Sequence, residues 1–293
     1  MVKKHSILYL LLFIAAGCDV FNFDEEAPIY PTQLDKLEMD ELVSLNEKFQ
    51  SANDNMCSTL NEYGLTGYST VLFEGESGPC SNREPVRIEL TEPDTLLLHA
   101  AESVVKNSEY TGVSDTEDLS LLEMEPLRGC ITCEGPDTDS RILEWKFIFQ
   151  EQEINGLKVY DSTITVIVDA KGVNRIWGNW YSELYLPARA NVLPDEIVEN
   201  LDGQTIEWDE DGEEYRHTIE ADRLLLPDQK TVIAFENEDL DKLELRAGWK
   251  FEIEDQNVPF GGWTVIADMV DGRILKVDKM IRSNDFGSTD GGG

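Results

Sequence analysis

Five cysteines carry the most distinctive chemistry in this 293-residue chain. The first, Cys18, lies directly behind a basic start (Lys3, Lys4), an apolar run from Ile7 to Ile14, and the small residues Ala15-Ala16-Gly17. That order of segments is an export signal, and the run is too short to span a bilayer, which needs about 20 apolar residues. The other four are Cys57, Cys80, Cys130 and Cys133. An even number of thiols in an exported chain reads as two disulfides, with three connectivities open. Cys57–Cys80 and Cys130–Cys133 close the shortest loops. Cys130-Ile131-Thr132-Cys133 has the spacing of a redox motif, but Glu134-Gly135-Pro136-Asp137 behind it is a turn rather than the helix such a motif needs. One Cys-x-x-Cys with two scattered partners is poor spacing for zinc. Structural disulfides are therefore expected at these four positions, and no metal.

No other residues assemble into a catalytic pattern. Beyond residue 17 the histidines are His99, in an expected helix, and His217, in an expected strand, and neither has a second histidine at ligand spacing. No Gly-x-Ser-x-Gly elbow and no glycine-rich phosphate loop occur. With 59 acidic residues, any two carboxylates can be neighbours by chance, so no glycosidase pair stands out. Glu207-x-Asp209-x-Asp211-Gly212 is the nearest calcium-like stretch, but Thr218 stands where a calcium loop wants Glu, and a hairpin tip is the simpler reading. The six tryptophans fall mostly in expected strands, where core packing explains them more cheaply than a sugar platform. No catalytic residue and no cofactor are expected.

The segment ending at Cys18 resembles the lipobox of bacterial lipoproteins, with Ala15 where that family more often has Leu. The resemblance implies a diacylglycerol on the Cys18 thiol and cleavage before it, leaving a membrane-anchored protein outside the cytoplasm. The competing reading is a plain secretory signal followed by a chance cysteine. Each buried acyl CH₂ contributes about 0.8 kcal/mol, so two or more chains anchor stably.

About 276 residues remain after residue 17, enough for one or two domains with a sizeable core. The formal charge of −35 repels nucleic acid and anionic headgroups, so a nucleic-acid role is disfavoured. The acids are spread along the chain, which favours a solvated acidic surface over a dedicated docking site for a basic partner.

These features have to be positioned by the elements that follow. Residues 18–33, with Asp24-Glu25-Glu26, Pro28 and Pro31, read as a tether. Leu34 to Phe49 is roughly helical, Tyr68–Phe73 and Pro85–Leu90 read as strands, and a helix opens at Pro93 with Asp94 or Thr95 as cap. Strands are expected at Leu119–Met124, Leu143–Phe149, Val159–Val168 and Val173–Trp180, with Asn155-Gly156 as a hairpin turn. A helix from Leu193 to Leu201 and further antiparallel strands repeat the scheme. The expected fold class is α+β, as two consecutive units each of a helix packed on an antiparallel sheet: 34–190 and 191–283, with residues 284–293 a disordered tail.

Trp145-Lys146-Phe147-Ile148-Phe149-Gln150, Asn155-Gly156-Leu157-Lys158-Val159, Val166-Ile167-Val168-Asp169, Gly172 and Gly178-Asn179 resemble the propeptide motif of thermolysin-type (fungalysin/thermolysin) metalloproteases. Leu245 to Phe251, Trp263 to Asp268 and Gly272-Arg273-Ile274-Leu275 resemble the PepSY domain, with Met269-Val270-Asp271 replacing its usual Ala-x-Thr. The 293 residues contain no His-Glu-x-x-His motif of that family's catalytic domain. The resemblance implies a propeptide-like module that binds a protein partner in the envelope, inhibiting or chaperoning a protease or restraining a sensor kinase. A binding module for a small molecule, glycan or metal is the alternative. The positions that carry the resemblance are turn glycines and strand apolars, which specify folding rather than catalysis.

Overall fold

The structure is a computed structural model that describes residues 30–54, 56–67, 89–129, 141–210, 213–225, 230–254 and 261–280. It is a mixed α and β fold whose strand pairings, among the described residues, are antiparallel with one exception.

The first sheet has the order β4 (Leu121–Gly129), β5 (Arg141–Phe149), β8 (Ile164–Asp169), β9 (Gly172–Trp177). Alternation along β5 sends Trp145, Phe147 and Phe149 inward while Glu144, Lys146 and Ile148 face the other way. Helices α1 (Met39–Ala52) and α2 (Pro93–Lys106) supply the opposing apolar surface. Leu42 and Phe49, spaced seven apart, and Leu96, Ala100 and Val104, spaced four apart, lie in one core with Phe147, Val166 and Ile176. Pro93 occupies the first turn of α2 and Glu92 the cap, two or three residues before the expected Asp94 or Thr95, because a first-turn position needs no N–H. A short helix, α3 (Ser108–Thr111), ends this layer.

The expected helix from Leu34 begins five residues later, at Met39, and Leu34 instead belongs to strand β1 (Thr32–Asp35). The expected strand Val159–Val168 is two strands, β7 (Leu157–Val159) and β8, broken where Asp161 takes φ 61° and Ser162 bonds back to Val159 O at 2.7 Å. β-branching favours extended backbone but does not choose the sheet. Tyr68–Phe73 and residues 85–88 lie outside the described residues, and Glu89-Leu90 is not a strand.

The second sheet runs β16 (Ile274–Lys279), β15 (Gly262–Asp268), β14 (Lys242–Glu254), β13 (Lys230–Asn237), β7, β6 (Glu153–Ile154). Its organising element is the 13-residue β14. The first half of β14 pairs with β13 and with β1, and its second half pairs with β15 and with β12 (Leu224–Leu225). Helix α4 (Pro194–Leu201) and the hairpin β10 (Thr205–Glu210)–β11 (Glu213–Thr218) cover one face, burying Ile197, Leu201, Ile206 and Ile219 with Phe251, Ile253 and Trp263. Glu196 accepts the Leu193 N–H at 2.9 Å, half of a capping box.

Residue 190 does not separate the two sheets. The hairpin β6–β7, turned by Asn155 (φ 52°) and Gly156 (φ 77°), crosses to the second sheet, where β7 runs parallel to β13. Residues 32–33, expected at the end of the tether, form part of β1 on that same sheet. The reason is partner availability: the flank of the first half of β14 is left open by β15, and β1 fills it.

Candidate functional site

Cys18, Cys80, Cys130 and Cys133 lie outside the described residues, so of the five cysteines the described fold places Cys57. Its backbone N–H bonds to Asn174 O of β9 at 2.7 Å. Ser58 continues the contact: its hydroxyl donates to Ile176 O at 2.7 Å and accepts from Ile176 N at 2.6 Å. Thr66 Oγ1 donates to Gly178 O. The segment that begins at Cys57 therefore closes the β9 edge of the first sheet. Asn46 and Gln50 of α1 hold it from above, through Leu60 N at 3.0 Å and Ser58 O at 3.0 Å.

The opposite edge is different. β4 pairs only with β5 among the described residues, and its side chains stay exposed: Leu121 at 37%, Leu122 at 59% and Met124 at 38%. The strand expected at Leu119–Met124 begins near here, but nothing in its residues marks it as an edge. One register shift, at Leu122, interrupts its first half, and a second after Leu127, with Pro126 in mid-strand, blunts its far half.

Next to the start of β4 lies a cleft of about 650 Å³, open to solvent. Glu109 lines it from α3 and Asp118 from the segment before β4, Glu151 and Glu153 from the crossing into β6, and Trp180 and Tyr181 from the loop after β9. Among the described residues that line it there is no Lys or Arg. Burial raises the Tyr181 hydroxyl above its ordinary range, partly offset by a hydrogen bond with Asn179.

The face of the second sheet opposite α4 carries a buried ion network that sequence reasoning missed. Arg246 on β14 donates from Nε to Glu244 Oε2 and from Nη1 to Asp268 Oδ2, both at 2.6 Å. Arg273 reaches Glu244 at 3.4 Å and lies 4.8 Å over the Phe235 ring. Gln33 of β1 donates to the second Glu244 oxygen at 2.8 Å. Burial alone would raise the Glu244 carboxyl. The donors Arg246, Asn237 and Gln33 outweigh it and hold the group below the usual carboxylate range. Both acids are fully bonded, which is the arrangement a buried charge needs in order to be structural. The residues at Asp268 to Arg273 also close a turn, with Val270 N on Asp268 Oδ1 at 2.6 Å and Gly272 at φ 78°.

His99 is exposed, 3.9 Å from Glu102, and His217 is buried on β11 opposite Ile206, so the two histidines do not share a site. Of the calcium-like stretch, Asp211 and Gly212 fall outside the described residues, and Glu207 pairs with Arg216 at 3.4 Å. Among the described residues no group of three or more His, Cys, Asp or Glu is placed to hold a metal, and no helix is long and apolar enough to cross a membrane. Trp145, Trp249 and Trp263 are buried in the two cores.

No protein-family model matches this chain. A search of curated proteins finds no relative. Among solved structures, the C-terminal domain of Bacillus megaterium YpeB aligns with 85% of this chain and 100% of its own length, at 10% identity and a TM-score of 0.29.

Proposed function

We propose that this chain is a non-enzymatic lipoprotein of the bacterial cell envelope, anchored outside the cytoplasm through Cys18. In it a propeptide-like, PepSY-like module of two helix-and-sheet units binds and regulates a protein partner, a protease or a sensor. The observation that supports this reading is the β4 edge, where Leu121, Leu122 and Met124 stand exposed on a strand with one free side among the described residues. Such an edge accepts an added strand through main-chain hydrogen bonds, a recurring mode of peptide recognition. Disulfides at Cys57, Cys80, Cys130 and Cys133 would staple the loop-rich parts that flank the first sheet.

Two measurements test it. Labelled palmitate should enter the wild-type protein and not Cys18→Ala, and the variant should leave the membrane fraction. A photo-reactive residue placed in turn at Leu122, Leu98 and Leu240 of the anchored chain should trap a discrete envelope protein from at least one position. No trapped protein from any of them removes the partner reading.

A second reading, an envelope module for a small molecule or glycan, is favoured by the cleft beside β4, with its carboxylates, serines and the ring of Trp180. Calorimetric titration with soluble glycans and amines decides it. Heat that disappears in Glu151→Gln/Glu153→Gln would establish this reading over the first.

A further inference from the structure

The geometry points to the chemistry of the partner: the Leu121–Glu125 half of β4 takes an extended strand whose residues alternate apolar and basic. This rests on the partner-binding reading above and specifies it.

The register divides β4 into two rows. Leu121 stands opposite Phe149 and Met124 opposite Phe147, so both belong to the side that carries the helices. Glu123 stands opposite Ile148 and Glu125 opposite Lys146, on the other side. Leu122 is the extra residue of the register shift, and from Glu123 to Glu125 the two rows alternate; a strand added to the side of β4 left open among the described residues repeats that alternation, because successive side chains point to opposite faces. On one face it covers Leu121 and Met124. On the other it lies beside Glu123 and Glu125, which calls for Lys or Arg. Glu125 already pairs with Lys146 at 3.4 Å across β5, so a cation on its outer flank completes an alternating row across three strands.

The same charges argue against a second copy of this chain as the occupant. Two β4 strands paired through this segment would set Glu against Glu between molecules that each carry −35. Pro126 offers no N–H, which confines pairing to the residues before it. Beyond Leu121 the path leads from Ser120 into the cleft lined by Asp118 and Glu151, so the acidic track continues past the strand end.

The test uses the full chain in detergent and three blocked nonapeptides: alternating Val and Lys, alternating Val and Glu, and the Val/Lys peptide with every second amide N-methylated. Binding is followed by anisotropy at 0.15 M salt. The Val/Lys peptide should bind at least tenfold more tightly than either of the others. Glu123→Lys/Glu125→Lys should weaken it by about tenfold and strengthen the Val/Glu peptide, two reversed cross-strand pairs acting together. Glu123→Gln/Glu125→Gln, which removes charge without adding any, should fall between. Equal binding of the N-methylated peptide means bulk attraction to an acidic protein and overturns the inference, as does a preference unchanged in both variants. A partner trapped at Leu98 or Leu240 but never at Leu122 overturns it while leaving the partner reading standing. No trapped protein at all removes that reading itself.

Discussion

The hydroxyl of Tyr30 accepts the backbone N–H of Ala247 at 2.9 Å, across 217 residues of chain. Three residues on, Gln33 donates to Glu244, and β1 pairs residue by residue with Leu243 and Leu245. The chain thus enters the described fold on the second sheet, not the first. From Cys18 to Tyr30 there are about 12 residues, so a Cys18 anchor would keep that end of β14 within about 40 Å of the bilayer.

Tyr30→Phe leaves the Ala247 N–H without its acceptor in a mostly dry site, and we expect a loss of about 1–3 kcal/mol by urea unfolding. Burial, first among its causes, lifts the Tyr30 hydroxyl from 10.0 to about 12. A raised folded value means that its contribution is complete below pH 10 and disappears as pH climbs toward 12. Difference absorbance should show a late-titrating tyrosinate in the wild type that is missing in Tyr30→Phe.

Arg246 holds two buried carboxylates, so removing it should cost far more than a surface ion pair. Arg246→Met should destabilise by about 3 kcal/mol, since buried Asp268 loses its short ion pair and Glu244 keeps only the longer contact to Arg273 beside its neutral donors. Lysine cannot reproduce the two-pronged donor set, and Arg246→Lys should recover only part of the loss. Equal midpoints for Arg246→Met and wild type in a denaturant series would refute the role assigned to this network.

Glu244 is held below its ordinary value of 4.5, so its stabilisation is present above about pH 4.5 and lost as pH falls through the lower folded value. The unfolding midpoint should decline below pH 4.5 in the wild type. In Glu244→Gln the midpoint is lower at neutral pH, and its decline with acid should be shallower.

The side-chain amides of Asn53 and Asn107 exchange hydrogen bonds at 2.6 and 3.1 Å where α1 and α2 end. Each also donates to its own helix, to Phe49 O and Ser103 O, both at 2.8 Å. Asn107→Leu should cost about 1–3 kcal/mol by stranding Asn53, and the double variant Asn53→Leu/Asn107→Leu less than the sum of the singles. Additive losses would show that the two amides act separately.

Gly112 takes φ 75°, and a Cβ there would run into the carbonyl of Trp180. Gly112→Ala should therefore destabilise strongly, by about 2–4 kcal/mol, whereas Gly203→Ala, also at positive φ but in open space, should cost about 1. Thermal melts of the pair separate close approach from backbone strain.

Much of this protein was legible locally. Alternation in Trp145-Lys146-Phe147-Ile148-Phe149 marks a strand with one buried face, and the structure buries that face. Leu96, Ala100 and Val104 mark a helix stripe, and Asn155-Gly156 marks a hairpin, with both residues at positive φ. The lipobox-like segment at Cys18 falls outside the described residues, and its meaning rests on the sequence alone. The ion network was hidden because nothing local distinguishes Glu244, Arg246 and Asp268 from the many other charges in so acidic a chain.

What the sequence by itself determined is therefore set within a few residues: the φ preference at a turn and the period of an apolar stripe. What only the tertiary structure decided is which strand lies beside which. β1 and the β6–β7 hairpin join a sheet whose other strands lie about 70 to 210 residues away, and β4 is left as an edge, because pairing depends on the summed fit of whole faces. Short apolar strands look alike in sequence. Their neighbours are chosen only when the complete sheet finds the arrangement that buries the most apolar surface and leaves no buried charge unpaired.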